Sequence, residues 1–113
     1  MNYKNLSPLI KTTPEKIITA TSKLWGVTEE ELLEKCRRQP QAFARQVAMF
    51  LTYKLTNLST TNVGKCFSNR NHATILWAIK RVMEAMESEP QIKHAVIELE
   101  KYLTKEHEKN RSI

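Results

Sequence analysis

Apolar residues recur at three- and four-residue spacings in six stretches of the chain, most of them bounded by helix-start or helix-stop signals. In "TPEKIITATSKLWG", Thr13 is placed to cap, Pro14 takes the first helical position, Ile17, Ala20 and Leu24 form one stripe, and Gly26 ends the element. "TEEELLEKC" has Thr28 and Glu31 in capping-box relation, with acids in the first turn where the helix dipole favours them. Pro40 disfavours helical geometry at Gln39 and breaks the chain at "RRQPQ". "AFARQVAMFLTYKLT" then runs apolar on most sides, which predicts the central buried helix, with Arg45 and Gln46 as adjacent polar residues near its start.

Ser59 is the expected cap of a short helix in "TTNVGKCF", and the turn "SNRN" leads to a long helix over roughly 72–87. A 100° wheel puts Ile75, Ala78, Ile79, Val82 and Met86 on one side of it and Ala73, Thr74, Trp77, Lys80 and Arg81 on the other. His72 falls near the apolar edge, so periodicity predicts that it is half-buried. Ser88 is the expected cap of a last helix carrying Ile92, Val96, Leu99 and Leu103. The fold class is therefore all-α with six helices: a polar arm over 1–12, a domain over 13–104 and a polar tail over 105–113.

The short helix, tight turn and long helix have the proportions of a helix-turn-helix, whose second helix enters the major groove with its N-terminal residues on base edges. Gly64 costs its helix about 1 kcal/mol relative to Ala, and the missing side chain is expected to let the two helices approach closely. The charge map agrees. Between Arg37 and Arg81 stand eight basic residues and no Asp or Glu, whereas the flanking segments are nearly balanced, so the whole net charge of +6 lies in the centre. A polyanion-binding face needs this, and an ordinary solvated surface mixes its signs.

Other classes fit poorly. A chain of 113 residues, 41% apolar, with two Gly and four Pro, holds one helical domain. It has no apolar stretch long enough to span a bilayer and no secretory signal, so a cytoplasmic protein without a membrane partner is expected. Cys36 and Cys66 form no CxxC pair and the three histidines are scattered, so reduced thiols and no metal are expected. No nucleophile–base set, paired carboxylate motif or cofactor loop is present, which argues against an enzyme. "GKC" at 64–66 matches the end of a P-loop, but Ser59 stands where its first glycine belongs, so neither nucleotide nor cofactor is expected.

"LTNLSTTNVGKCFSNRNHATILWAIKRV" resembles the C-terminal DNA-binding domain of the bacterial replication initiator DnaA, whose helix-turn-helix carries a Gly-Gly-Arg-Asp-His-(Ser/Thr/Ala)-Thr-Val signature. Arg70, His72 and Thr74 match that signature, and the likeness extends upstream through Arg45-Gln46 and "GVTEEELL", covering roughly 14–104. The resemblance implies a Trp-repressor-like six-helix domain that binds double-stranded DNA at DnaA-box-like sites, in replication initiation or its regulation. It implies major-groove base contacts from Asn71, His72, Ala73 and Thr74, and minor-groove contact from Arg37, with Arg38 in the same basic loop. Phosphate contacts fall to Arg45, Gln46, Ser59, Thr60, Thr61 and Arg70, and the wheel adds Lys80 and Arg81. Replication proteins are candidate further partners, and a monomer is expected.

The departures are specific. Asn71 replaces the family's acid, Ala73 often corresponds to Ser or Thr, Ser68-Asn69 replaces the double glycine, and Trp77 stands on the exposed face in place of a smaller polar residue. An Asp only accepts, as from cytosine N4, whereas Asn also donates and pairs with adenine N6 and N7. These changes keep open the alternative of a transcriptional regulator or protein-interaction module that retains the fold without DnaA-box specificity.

Overall fold

A computed structural model describes residues 12–111, with side chains for residues 12–105. The helices are α1 (Pro14–Trp25), α2 (Glu29–Leu33), α3 (Gln41–Leu55), α4 (Thr60–Cys66), α5 (His72–Ser88) and α6 (Pro90–Arg111). Among the described residues no strand occurs, and no helix is long and apolar enough to cross a membrane. Nearly all of the expected N-terminal arm lies outside the described residues.

Local chemistry sets most of the helix ends. Thr13 Oγ1 accepts from the Lys16 amide at 3.2 Å, and Gly26 closes α1 at φ 69°, a left-handed conformation that costs glycine little. The capping box of α2 is complete: the Glu31 amide donates to Thr28 Oγ1 at 3.0 Å and the Thr28 amide donates to Glu31 Oε1 at 2.9 Å. Pro40, at the cap position of α3, makes no side-chain cap bond; Gln39 Oε1 instead accepts from the Phe43 amide at 3.1 Å.

The core is built around α3, which packs against α1, α2, α4 and α5. Ala44, Val47, Ala48, Met49, Phe50, Leu51 and Leu55 of this helix are all buried, as its apolar-all-round pattern predicts. Ile17 from α1, Leu32 from α2, Val63 from α4, Ile75 and Val82 from α5, and Val96, Leu99 and Leu103 from α6 close on it.

Two expectations are corrected here. The α1 face turned inward carries Ile17, Ile18, Thr21 and Ser22, while Leu24 is 52% exposed, because α3 and α6 meet α1 on a slightly rotated stripe. Ser88 caps nothing; it is the last residue of α5 and its hydroxyl donates to the Glu84 carbonyl at 3.1 Å. The break falls one residue later, at Glu89 (φ −128°, ψ 101°), the residue that Pro90 forces out of helical geometry. α6 itself continues through Arg111, since nothing after Pro90 interrupts it, and so takes in most of the polar tail.

Candidate nucleic-acid interface

The joint between α4 and α5 is set by one glycine. The Arg70 amide donates to the Gly64 carbonyl at 3.0 Å, and a Cβ on Gly64 would collide with the Arg70 carbonyl oxygen. Any side chain there must push the turn away from α4. Between them Ser68 (φ 60°) and Asn69 (φ 56°) are both left-handed, a conformation that glycine adopts at little steric cost. Asn tolerates it, and Ser68 gains a bond in return, its Oγ donating to the Leu33 carbonyl at 2.7 Å.

That bond belongs to a larger arrangement. α2 has only five residues, and at its C-terminal end the Glu34 amide reaches one carbonyl, that of Glu31, at 3.3 Å. Arg45, 5% exposed, donates from Nε to the Leu32 carbonyl at 2.5 Å, from Nη1 to Cys36 at 2.8 Å and from Nη2 to Glu31 at 3.0 Å. Arg70 donates to the Glu34 carbonyl at 2.9 Å and to its own turn at Phe67 at 2.7 Å. Two guanidiniums and one hydroxyl thus close the negative end of α2 and fix the loop that follows it. Burial pulls the pKa of Arg70 below its ordinary value, and the nearby Arg45 charge adds to this. The Arg38 amide, and then the Arg45 side chain, hold the Cys36 thiol below its ordinary range.

Arg45, for which a phosphate contact is expected, thus lines a groove with its guanidinium held on carbonyls of the α2 end and the loop after it, the partners that balance a buried charge. Arg70 lines the same groove, half-buried, with two of its nitrogens held on carbonyls.

The first turn of α5 projects differently. Asn71 is its N-cap: Oδ1 accepts from the Thr74 amide at 2.9 Å and from the Thr74 hydroxyl at 3.1 Å. Asn71, His72 and Ala73 are all exposed. For His72 this overturns the half-burial read from the wheel, which holds only where neighbouring helices cover the whole length. The first turn is uncovered on that side. Thr74 is half-buried, and Trp77, one turn on from Ala73, is 56% exposed.

The groove brings several of the expected residues together. Arg37 and Gln39 from the loop, Gln46 from α3, and Asn71, Thr74 and Trp77 from α5 line it. The groove does not include Ser59, Thr60 or Thr61, which stand at the start of α4, where Ser59 Oγ accepts from the Asn62 amide at 3.2 Å. Lys80 and Arg81 are exposed further along α5, also outside it. Arg38 is exposed and lies 3.5 Å from Glu34 in a surface ion pair.

A family profile described as the bacterial dnaA protein helix-turn-helix matches residues 14–82, from the start of α1 to the middle of α5. The chain belongs to this family. Among individual relatives of the DnaA helix-turn-helix, the chromosomal replication initiator proteins DnaA of Leifsonia xyli subsp. xyli and Clavibacter sepedonicus are each 37% identical over 94 residues, 83% of this chain and 20% of the relative. That of Buchnera aphidicola subsp. Baizongia pistaciae is 36% identical over 108 residues, 90% of this chain and 23% of the relative. The chain thus spans about a fifth of the length of these relatives.

On this DnaA-type scaffold, Lys35, Gln39 and Asn69 line the groove without a site role in the sequence reading. Lys35 is exposed and stands two residues before Arg37, from which the basic segment is counted, although the acid-free run starts at Lys35 itself. Asn69 lines it as well, and only its place in the turn hinted at that.

Proposed function

We propose that this domain binds double-stranded DNA with sequence preference, at DnaA-box-like sites, in the initiation of replication or its regulation. One observation carries the reading: the first turn of α5 stands exposed beside a groove rimmed by Lys35 and Arg37, in a segment free of carboxylates. Membership of the DnaA helix-turn-helix family and relatives named as replication initiators support it. Asn71, His72, Ala73 and Thr74 face base edges in the major groove, and Arg37 reaches the adjacent minor groove. Lys80, Arg81 and the exposed Thr61 hold the phosphates, which fix register without reading sequence. One domain occupies one site, and no nucleotide takes part.

Titrating labelled duplexes with DnaA-box-like and scrambled sequences, at several salt concentrations, tests this. The box-like duplex should bind at least tenfold more tightly, the order expected when one or two base pairs are read directly. Equal affinities reduce the reading to phosphate contact, and no binding at low salt removes it. A protein partner is the second reading, favoured by Leu76 and Met83, two large apolar residues 49% and 53% exposed at a seven-residue spacing on α5.

A further inference from the structure

The N-cap of α5 fixes which hydrogen-bonding groups its polar side chains have left to offer. A backbone amide can only donate, so the Asn71 atom facing the Thr74 amide at 2.9 Å is the carbonyl oxygen, which settles the orientation of the side-chain amide. The same oxygen takes the Thr74 hydroxyl hydrogen at 3.1 Å. Both acceptor sites of Oδ1 are therefore occupied within α5. What Asn71 presents outward is Nδ2 with its two hydrogens. Thr74, its only hydroxyl hydrogen spent, is left with oxygen lone pairs, and so only with acceptor capacity, to offer.

Resting on the DNA-binding reading above, we propose that Asn71 and Thr74 act as one specificity-determining unit, donor plus acceptor, that selects adenine at the base pair they face. Adenine is the only base whose own major-groove edge carries one acceptor, N7, and one donor, the N6 amine. Nδ2 of Asn71 donates to N7, and the N6 amine donates to Oγ1 of Thr74. Guanine offers two acceptors and leaves the Thr74 lone pair against O6. Cytosine offers only its N4 amine, which can donate to the Thr74 oxygen but leaves the Asn71 hydrogens without an acceptor. Thymine offers O4 but no donor for Thr74. An isolated Asn commonly reads adenine by itself through Oδ1 and Nδ2, but the cap excludes that mode here. An Asp in the same cap presents only acceptor oxygens, which suit the cytosine amine, so exchanging Asn for Asp inverts the preference while keeping the helix start intact.

The test is selection of bound sequences from a random duplex pool by the whole chain and by two variants, Asn71→Asp and Thr74→Val. The unaltered protein should enrich a site with one position strongly biased to adenine. Asn71→Asp, which keeps the cap acceptor, should move that one position toward cytosine and leave the others unchanged. Thr74→Val should relax adenine against guanine at the same position, roughly tenfold or less. Helical content by circular dichroism confirms that both variants fold. If the protein enriches a site and Asn71→Asp returns the same base at every position, the pairing is wrong while the DNA-binding reading stands. Failure of the unaltered chain to enrich any sequence overturns both.

Discussion

Arg45 carries a full charge to a place with 5% exposure and faces three carbonyls rather than a carboxylate. Charge-assisted bonds of this kind contribute more than neutral ones, and their loss takes these donors from the carbonyls of Leu32 and Cys36. Arg45→Ala should therefore cost about 2–4 kcal/mol in urea unfolding; a loss under about 0.5 kcal/mol would match an ordinary surface substitution and contradict the strut. Glu31 gives a pH-dependent counterpart. Its carboxylate accepts from the Thr28 amide and from Gln41 Nε2, at 2.9 and 3.3 Å, and these bonds hold its pKa below the ordinary 4.5. A depressed folded-state pKa contributes stability that is full above the unfolded-state value and lost as pH falls through the folded one. The stability difference between the unaltered chain and Glu31→Gln should accordingly shrink below pH 4.5, measured by urea midpoints from pH 7 to 3. A difference constant across that range would refute the assignment.

Between α4 and α5 two effects of opposite sign compete at Gly64. Helix propensity favours Ala by about 1 kcal/mol. Against it, the new Cβ meets the Arg70 carbonyl, a backbone atom that cannot swing aside as a side-chain tip can, and overpacking of this kind costs about 1–3 kcal/mol. Gly64→Ala should be net destabilising and should also weaken DNA binding by splaying α5 from α4; a variant as stable as the original would show that the helices are not held by this contact. The sequence carried part of this, since a lone helix glycine hinted at close approach. Helix starts were legible for a similar reason: Thr13, Thr28, Glu31 and Ser59 act on amides three residues away. What failed depended on distant elements. Leu24 is exposed because of where α3 and α6 sit, and Arg45 is buried because α2 is too short to satisfy its own end. The pair Asn71–Thr74 was legible as polar and unreadable as donor and acceptor, because only the closed cap shows which atoms are spent.

At the scale of the molecule, the eight cations between Arg37 and Arg81 are not eight cations facing solvent. Arg45 is inside, Arg70 is half-buried on carbonyls, Lys54 pairs with Glu100 at 2.8 Å, and Arg38 lies against Glu34. Arg37, Lys65, Lys80 and Arg81 stand exposed, joined by Lys35 from just outside the window. The two counts make different quantitative statements about counterion release. Eight phosphate contacts would give a slope of log affinity against log salt of about −7, and the five exposed cations give about −4.5, at roughly −0.9 per neutralised phosphate. Affinities for one box-like duplex at salt concentrations from about 50 to 200 mM separate these values. We expect the shallower slope, with Lys80→Ala or Arg81→Ala reducing its magnitude by about one. Arg45→Met, assayed where it is still folded, should leave the slope unchanged, because the residue releases no counterion from DNA if it spends its charge on α2. A slope near −7, or one that falls by about one with Arg45→Met, would mean that the guanidinium leaves its carbonyls for a phosphate when DNA arrives.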